Sequence, residues 1–373
     1  MYYKDIFCRK IYIYIIMNES DINDIRGNVD FKCNTFSNFK KSEVKKQLLK
    51  SLYNNQIEQS CYWSAEYICS GQFIDLWEII LFYMSKYIHL GNPKLPIYIE
   101  LRFNNFKEII HNGYDDCDLS LRNNERIRKL FAEIIGILCT SKKKHAIEYV
   151  KLEKNHDFDI TNIHSKLSAP NVKYIEKYFE KDDPKELFIM LNEFSYHLSS
   201  KSNNSTSACY WLEWLLEFEN ICKKKKELLI CERRQFIPVE DKFQKESIWI
   251  IWEIILDVVS KDKLKTKIMN SLLNLYCLRY TNGTKRKRKG LIYFAISIIT
   301  EHINTNESLV SNQDNINKIV KNINLIYKEI KKNEQKPNTD YLFENVTDET
   351  KTNKEKTIEK LNKMETLNTI IRN

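Results

Sequence analysis

Ten residues occur twice in this chain in closely related form. Trp77-Glu78-Ile79-Ile80-Leu81 is followed after three residues by Ser85-Lys86, and Trp252-Glu253-Ile254-Ile255-Leu256 is followed after three residues by Ser260-Lys261. The landmarks around both copies keep one order. Cys61-Tyr62-Trp63 precedes the first and Cys209-Tyr210-Trp211 the second; Asn112-Gly113 and Asn282-Gly283 come after, each followed by a basic cluster and a Phe-Ala pair, Phe131-Ala132 or Phe294-Ala295. Four landmarks in one order imply that a helical unit was duplicated, so the chain is expected to fold as two related lobes.

With 373 residues, 43% of them hydrophobic, the chain can fill a core in each of two domains, which excludes disorder throughout. Only 7 Gly and 6 Pro are present, against usual shares of about 7% and about 5%. That leaves little turn chemistry for hairpins and almost none for glycine-rich phosphate loops, and favours long helices joined by polar loops. A coding bias toward AT would raise Lys, Asn, Ile and Tyr together, so each such residue carries less information.

The helical pattern is clearest in the first copy. Phe73, Leu76, Trp77, Ile80, Leu81 and Met84 recur at three-four spacing, the mark of an amphipathic helix. A lead-in helix is expected from about Ser42 to Tyr53, then one capped by Ser60, and another over about Leu101 to Ile110 closed by Asn112-Gly113. Asn123 or Asn124 is placed to cap a helix with Ile127, Leu130, Phe131, Ile134, Ile135 and Leu138 on one face. A helical pair split at Asp182-Asp183-Pro184 follows a polar stretch, and Ser199 to Ser207 reads as a flexible hinge.

The expected organisation is a leader over 1–41, lobe 1 over 42–140, a polar linker with a helical pair over 141–207, lobe 2 over 208–305, and a polar, partly helical tail over 306–373. Lobe 2 carries extra residues between Trp211 and Trp252, including Lys223-Lys224-Lys225-Lys226 and Cys231-Glu232-Arg233-Arg234. In the tail, expected to be mobile, Ile316, Ile319, Ile323, Ile326 and Ile330 form a narrow apolar seam suited to docking on the body or on a partner. Met17 opens a polar leader, which marks residues 1–16 as a candidate upstream extension that is not always translated. The apolar run Ile11 to Met17 is too short to span a bilayer and has no cleavage site behind it. An intracellular location, cytoplasmic or nuclear, is expected, with the ten cysteines reduced and mostly buried.

Residue patterns for chemistry are weak. Trp63, Trp77, Trp211 and Trp252 sit at helical spacing among Ile and Leu, so core packing is expected rather than base stacking. Glu66, Glu78, Glu213 and Glu253 would supply the carboxylates of a di-metal bundle, but such a bundle needs two Glu-x-x-His pairs and only Glu153 to His156 fits. Cysteine pairs with zinc spacing are absent, as are the zincin, serine-hydrolase, phosphate-loop and dinucleotide motifs. The Glu-x-Lys fragments at Glu240 and Glu329 are expected by chance in so Glu- and Lys-rich a chain. No catalytic residue, metal ligand or cofactor is therefore assigned.

The formal charge of +9 favours anionic partners. Its sharpest concentration is Lys285-Arg286-Lys287-Arg288-Lys289, with Arg122, Arg126, Arg128 and Lys129 at the related place in the first copy. These nine are the candidates for polyanion contact through counterion release, or, for Lys285 to Lys289, for a nuclear import signal; an ordinary solvated loop is the plain alternative.

Cys61-Tyr62-Trp63, the loop Leu90-Gly91-Asn92-Pro93-Lys94-Leu95-Pro96 and Cys209-Tyr210-Trp211-Leu212-Glu213-Trp214 resemble segments of an uncharacterised helical protein of the nucleocytoplasmic large DNA viruses. The resemblance covers about residues 60 to 300, implies no catalytic residues, and would place the chain in an infected eukaryotic cell, in a viral factory or in virions.

The fold expected is all-α, two duplicated multi-helix lobes comparable to helical-repeat or two-lobed cyclin-like architectures, which by itself specifies no function. The expected function is a non-enzymatic interaction or scaffold protein that binds a protein partner and carries an accessory basic surface. The alternative is a nucleic-acid-binding accessory subunit of a replication, transcription or packaging complex; a metal-dependent nuclease ranks third.

Overall fold

The computed structural model describes residues 19–111, 118–153, 157–227, 229–304, 308–310 and 313–335. Among them thirteen α-helices form and no strand, only an isolated bridge between Asn34 and Lys40. The expected upstream extension at 1–16, the Asn112-Gly113 cap and the tail beyond 335 lie outside the described residues.

Lobe 1 consists of α1 (Lys41–Tyr53), α2 (Ile57–Cys69), α3 (Phe73–Tyr83), α4 (Leu95–His111) and α5 (Glu125–Thr140). A short α6 (Ile160–His164) precedes lobe 2, formed by α7 (Phe188–Leu198), α8 (Ser205–Lys224), α9 (Ile248–Val258), α10 (Lys263–Tyr276), α11 (Thr284–Lys287) and α12 (Lys289–Thr300). The duplicated phrase lies in α3 and α9, Cys-Tyr-Trp in α2 and α8, and Phe-Ala in α5 and α12. Pairings repeat as well. The first two helices of each set pack as a hairpin, α1 and α2 or α7 and α8; α2 meets α5 as α8 meets α12, and α4 meets α5 as α10 meets α12. The second set therefore begins at α7, inside the stretch that reads in sequence as a linker.

Trp77 and Trp252 occupy corresponding places. Trp77 packs on Phe103 and Phe106 of α4 at ring distances of 5.0 and 5.7 Å, and Trp252 packs on Tyr276 of α10 at 5.4 Å. Trp77, Trp211 and Trp252 are buried, whereas Trp63 is half-buried against Phe39 and Tyr62.

The lobes share one core. α10 packs on α4, and α12 packs on α3 and on the π-helical turn Met84–Ile88 that extends it. α3 buries Ile79 and Tyr83 in addition to the face its spacing marks, Tyr83 lying against Tyr87 at a ring distance of 5.2 Å. Gly290 at the start of α12 makes the approach possible, because a Cβ there would lie 2.8 Å from Ser85 Oγ and 2.9 Å from Tyr149 Oη. Between the lobes, the amides of Lys144 and Ala146 donate to the carbonyls of Ile88 and Lys86 at 3.2 and 2.9 Å. Those carbonyls belong to a helix end that lacks intrahelical donors, so the polar stretch after α5 works as a cap.

A last helix, α13 (Gln313–Lys331), returns to lobe 1 and packs on α5 and α2. Ile316, Ile323, Tyr327 and Ile330 are buried there, Ile319 and Ile326 half-buried. Gly136 of α5 admits it; a Cβ at that position would sit 3.2 Å from Ile316 Cγ1.

Several local expectations are corrected. Ser60 is not a cap: α2 starts at Ile57, and Ser60 is buried, donating to the Gln56 carbonyl at 2.8 Å. Residues 173–178 form turns, so α7 stands without the expected helical partner before it. Asp183 does not cap α7; it receives both terminal nitrogens of buried Arg234 at 2.6 and 2.7 Å. Residues 199–204 are no hinge. The Asn203 amide donates to Ser199 at 2.9 Å and that of Asn204 to His197 at 3.0 Å, and the Asn204 side chain caps α8 by accepting from the Ser207 amide at 3.0 Å. Asn124 caps α5 as its place in sequence suggests.

Candidate functional site: the cleft between the lobes

Where α4 lies against α10, the two lobes leave a cleft of about 570 Å³. α3 contributes Phe73, Ile74, Trp77, Glu78 and Leu81; α4 contributes residues from Glu100 to His111, including Phe103, Phe106 and Ile110. Asn274 and Leu275 from the end of α10, Cys277, Leu278 and Arg279 just after it, Pro238 and Arg288 complete it. Its size falls within the roughly 300–1,000 Å³ usual for ligand pockets.

The floor is aromatic and continuous with the lobe 1 core. Phe73 and Phe106 lie 5.4 Å apart, Phe106 and Phe131 5.6 Å, and Trp77 and Phe131 5.4 Å. Ile74 stands 49% exposed at the edge, an apolar side chain that the fold leaves uncovered. The Trp77 indole N–H has no acceptor although the residue is buried. Glu78 is held by Arg288, at 3.1 Å from Nε and 2.5 Å from Nη2, and Glu100 accepts from Asn274 at 2.6 Å. Lys107 and Arg279, both exposed, have no carboxylate on them among the described residues; Lys107 lies over the Phe103 ring at 5.1 Å. Arg279 adopts φ 42°, a region that non-glycine residues rarely occupy. Chemically, the cleft offers apolar burial and a rim on which Lys107 and Arg279 outnumber the one carboxylate without an ion pair, Glu100.

The five cations of Lys285 to Lys289 meet carboxylates. Lys285 lies 2.7 Å from Glu219 and 3.0 Å from Glu246; burial disfavours its ammonium, but the two carboxylates prevail and its pKa stands above the usual lysine value. Arg286 pairs with Glu217 at 3.4 Å and Lys289 with Glu213 at 2.5 Å. Lys287 is 3.6 Å from Glu78, and Arg288, besides holding Glu78, donates to the Tyr276 and Leu278 carbonyls at 2.8 and 2.5 Å. Much of this charge is therefore an internal strap that ties α11 and the start of α12 to α8 and α3. In lobe 1, Arg122 and Arg128 are buried. Arg122 donates to the Asp24 carbonyl at 2.7 Å, and Arg128 reaches Ser20 Oγ at 2.9 Å and Asn324 Oδ1 at 3.2 Å while lying 4.1 Å from the Tyr327 ring centre. Arg126 and Lys129 are exposed, Lys129 pairing with Glu125 at 2.6 Å. The structure thus does not bring the nine cations together as one surface.

No protein family, curated protein or solved structure matches the chain. The functional reading therefore rests on geometry.

The carboxylates beside the tryptophans are also engaged separately: Glu66 by Ser37 at 2.6 Å, Glu213 by Lys289 and Tyr293, Glu253 by Arg234 at 3.2 Å. Among the described residues no group of three or more His, Cys, Asp or Glu is placed to hold a metal ion. All eight described cysteines are free and all but Cys33 buried; burial pushes the thiols of Cys231 and Cys277 up to about 12. No helix among the described residues is long and apolar enough to cross a membrane.

The cleft was missed in sequence, although Phe103, Phe106 and Ile110 carry a three-four stripe. That stripe looks like any core-facing stripe, and only the position of α10 leaves it partly open.

Proposed function

We propose that this chain is a non-enzymatic helical interaction protein that receives a protein partner in the cleft between its lobes. The observation that carries this reading is the cleft: an aromatic floor, uncovered Ile74, and walls taken from both halves of the duplication. A buried apolar centre with a polar rim is the anatomy of a binding hot spot. The resemblance of the Cys61, Leu90 and Cys209 segments supports seeking that partner in an infected eukaryotic cell.

The test uses a photo-reactive side chain at Ile74 and, as control, at Leu325 of α13, which is 66% exposed. A discrete adduct at Ile74, absent at Leu325 and abolished by Phe103→Ala, is expected. Equal adducts at both positions, or turnover of a substrate lost with Phe103→Ala, would replace this reading.

One observation favours the second reading, nucleic-acid contact. Lys223 to Lys226 at the end of α8 are exposed and carry no ion pair among the described residues. Lysines in a last helical turn are also simply favoured by the helix dipole. If they contact phosphates, replacing all four by Ser lowers affinity for a single-stranded oligonucleotide and flattens its dependence on salt, with sequence preference unchanged; a slope equal to that of the unmodified chain excludes it.

A further inference from the structure

We infer that the occupant of the cleft is one amphipathic α-helix of a partner protein, about three turns long, with acidic residues beside its apolar stripe. This rests on the reading that the cleft is the docking site, and deepens it by naming what docks.

Length comes first. The lining of α4 runs from Glu100 to His111, which at ~1.5 Å per residue is a trough of about 16 Å. A helix of about three turns matches it and would present apolar side chains at i, i+3 or i+4, and i+7 to Phe103, Phe106 and Ile110.

Backbone chemistry comes second. The principal walls, α3 and α4, are helical, so their peptide groups are paired within their own helices. They offer no sheet edge. An extended segment buried there would leave its N–H and C=O groups without partners, which costs free energy for each group so stranded. A helix satisfies its own backbone and brings only side chains to the cleft.

Charge comes third. Glu78 is taken by Arg288, and Glu100 accepts from Asn274 but keeps its charge, so among the described residues the rim carries one unpaired carboxylate against two cations without an ion pair, Lys107 and Arg279. They lie on opposite elements, α4 and the end of α10. A helix seated between them would meet a cation on either flank, which selects Asp and Glu there and disfavours Lys and Arg. Glu108 is exposed on α4 but is not part of the lining.

The experiment is a selection on the full chain from a display library of helical peptides about four turns long, with counter-selection on Ile74→Glu. Ile74 is half exposed, so this change leaves the fold in place, and a melting curve checks that it does. Enriched peptides are expected to carry the apolar stripe with flanking Asp or Glu. A proline at the centre of the best one should weaken binding by about tenfold or more. The double variant Lys107→Glu, Arg279→Glu should weaken it by about tenfold at low salt and shift selection toward basic peptides. Binders that need Ile74 but tolerate the central proline, or ignore the charge reversal, overturn the helix while leaving the cleft as the docking site. Absence of any Ile74-dependent binder overturns both.

Discussion

Single residues here take their roles from partners far along the chain. Glu78 and Glu253 hold the same place in the duplicated phrase and each meets an arginine, but Arg288 reaches Glu78 from the other lobe, whereas Arg234 reaches Glu253 from the insertion before α9. Sequence offers Arg288 and Arg128 as surface cations with the same standing as Arg126, because a basic residue looks alike whether or not a carboxylate or carbonyl waits opposite. His89 shows the same dependence. It is buried after the π-helical turn at φ 46°, its ring lies tilted against Phe294 of α12 at 4.8 Å, and its Nε2 has no partner among the described residues. Burial lowers its pKa from 6.5 to about 4; Glu301 acts in the opposite direction and Lys144 in the same one. The folded state therefore holds His89 neutral. Its contribution is complete above about pH 6.5 and is lost as pH falls toward about 4, where the unfolded chain binds a proton that the folded chain does not. The loss should total about 3 kcal/mol. His89→Asn, which tolerates positive φ, is expected to remove that part of the pH dependence in urea titrations between pH 7 and about 4. An unchanged slope would show that His89 is not its source.

At the scale of elements, periodicity was a good guide to where helices form and a poor guide to how many of their faces are covered. The spacing in α3 gives one buried face, yet Ile79 and Tyr83 outside it are buried as well, and Glu78, which reads as a solvent-facing carboxylate, is held by Arg288 of the other lobe. In α13 the isoleucine seam marks the docking face correctly, with Tyr327 added because Arg128 stacks on it. Whether that face meets the body or another protein was open in sequence; Gly136 settles it by letting Ile316 approach α5. Ser60 fails as a cap because Ser51 and the Gln56 carbonyl accept its hydroxyl inside the hairpin, and a helix start is set by where the preceding chain turns. Ile323→Asp, placing a carboxylate at a site that is 3% exposed, should detach α13: hydrogen exchange in 313–331 is expected to accelerate by about tenfold or more while α7 to α9 keep their protection. Acceleration spread evenly over both lobes would mean that α13 is part of one folding unit with them.

For the whole molecule, the coupling between the lobes is the quantity that matters, since the cleft exists only while α10 stays against α4. Glu78 and Arg288 join the lobes beneath the cleft, with Arg288 also satisfying two carbonyls at the end of α10. Arg288→Met should lower stability by about 3 kcal/mol, as expected when one partner of a buried pair is removed. In a Glu78→Gln background the same change should cost at least about 1 kcal/mol less. Additive losses in urea titrations would show that the pair does not link the lobes. The sequence alone determined the all-α class, the duplication, the burial of Trp77, Trp211 and Trp252, and the docking stripe of α13, because these depend on spacing along one helix or on order along the chain. Tertiary structure alone decided which cations are internal, where the second lobe begins, and that a cleft remains between the lobes. Those follow from contacts between residues such as Glu78 and Arg288, which are 210 positions apart, and no local pattern encodes which helix will lie opposite another.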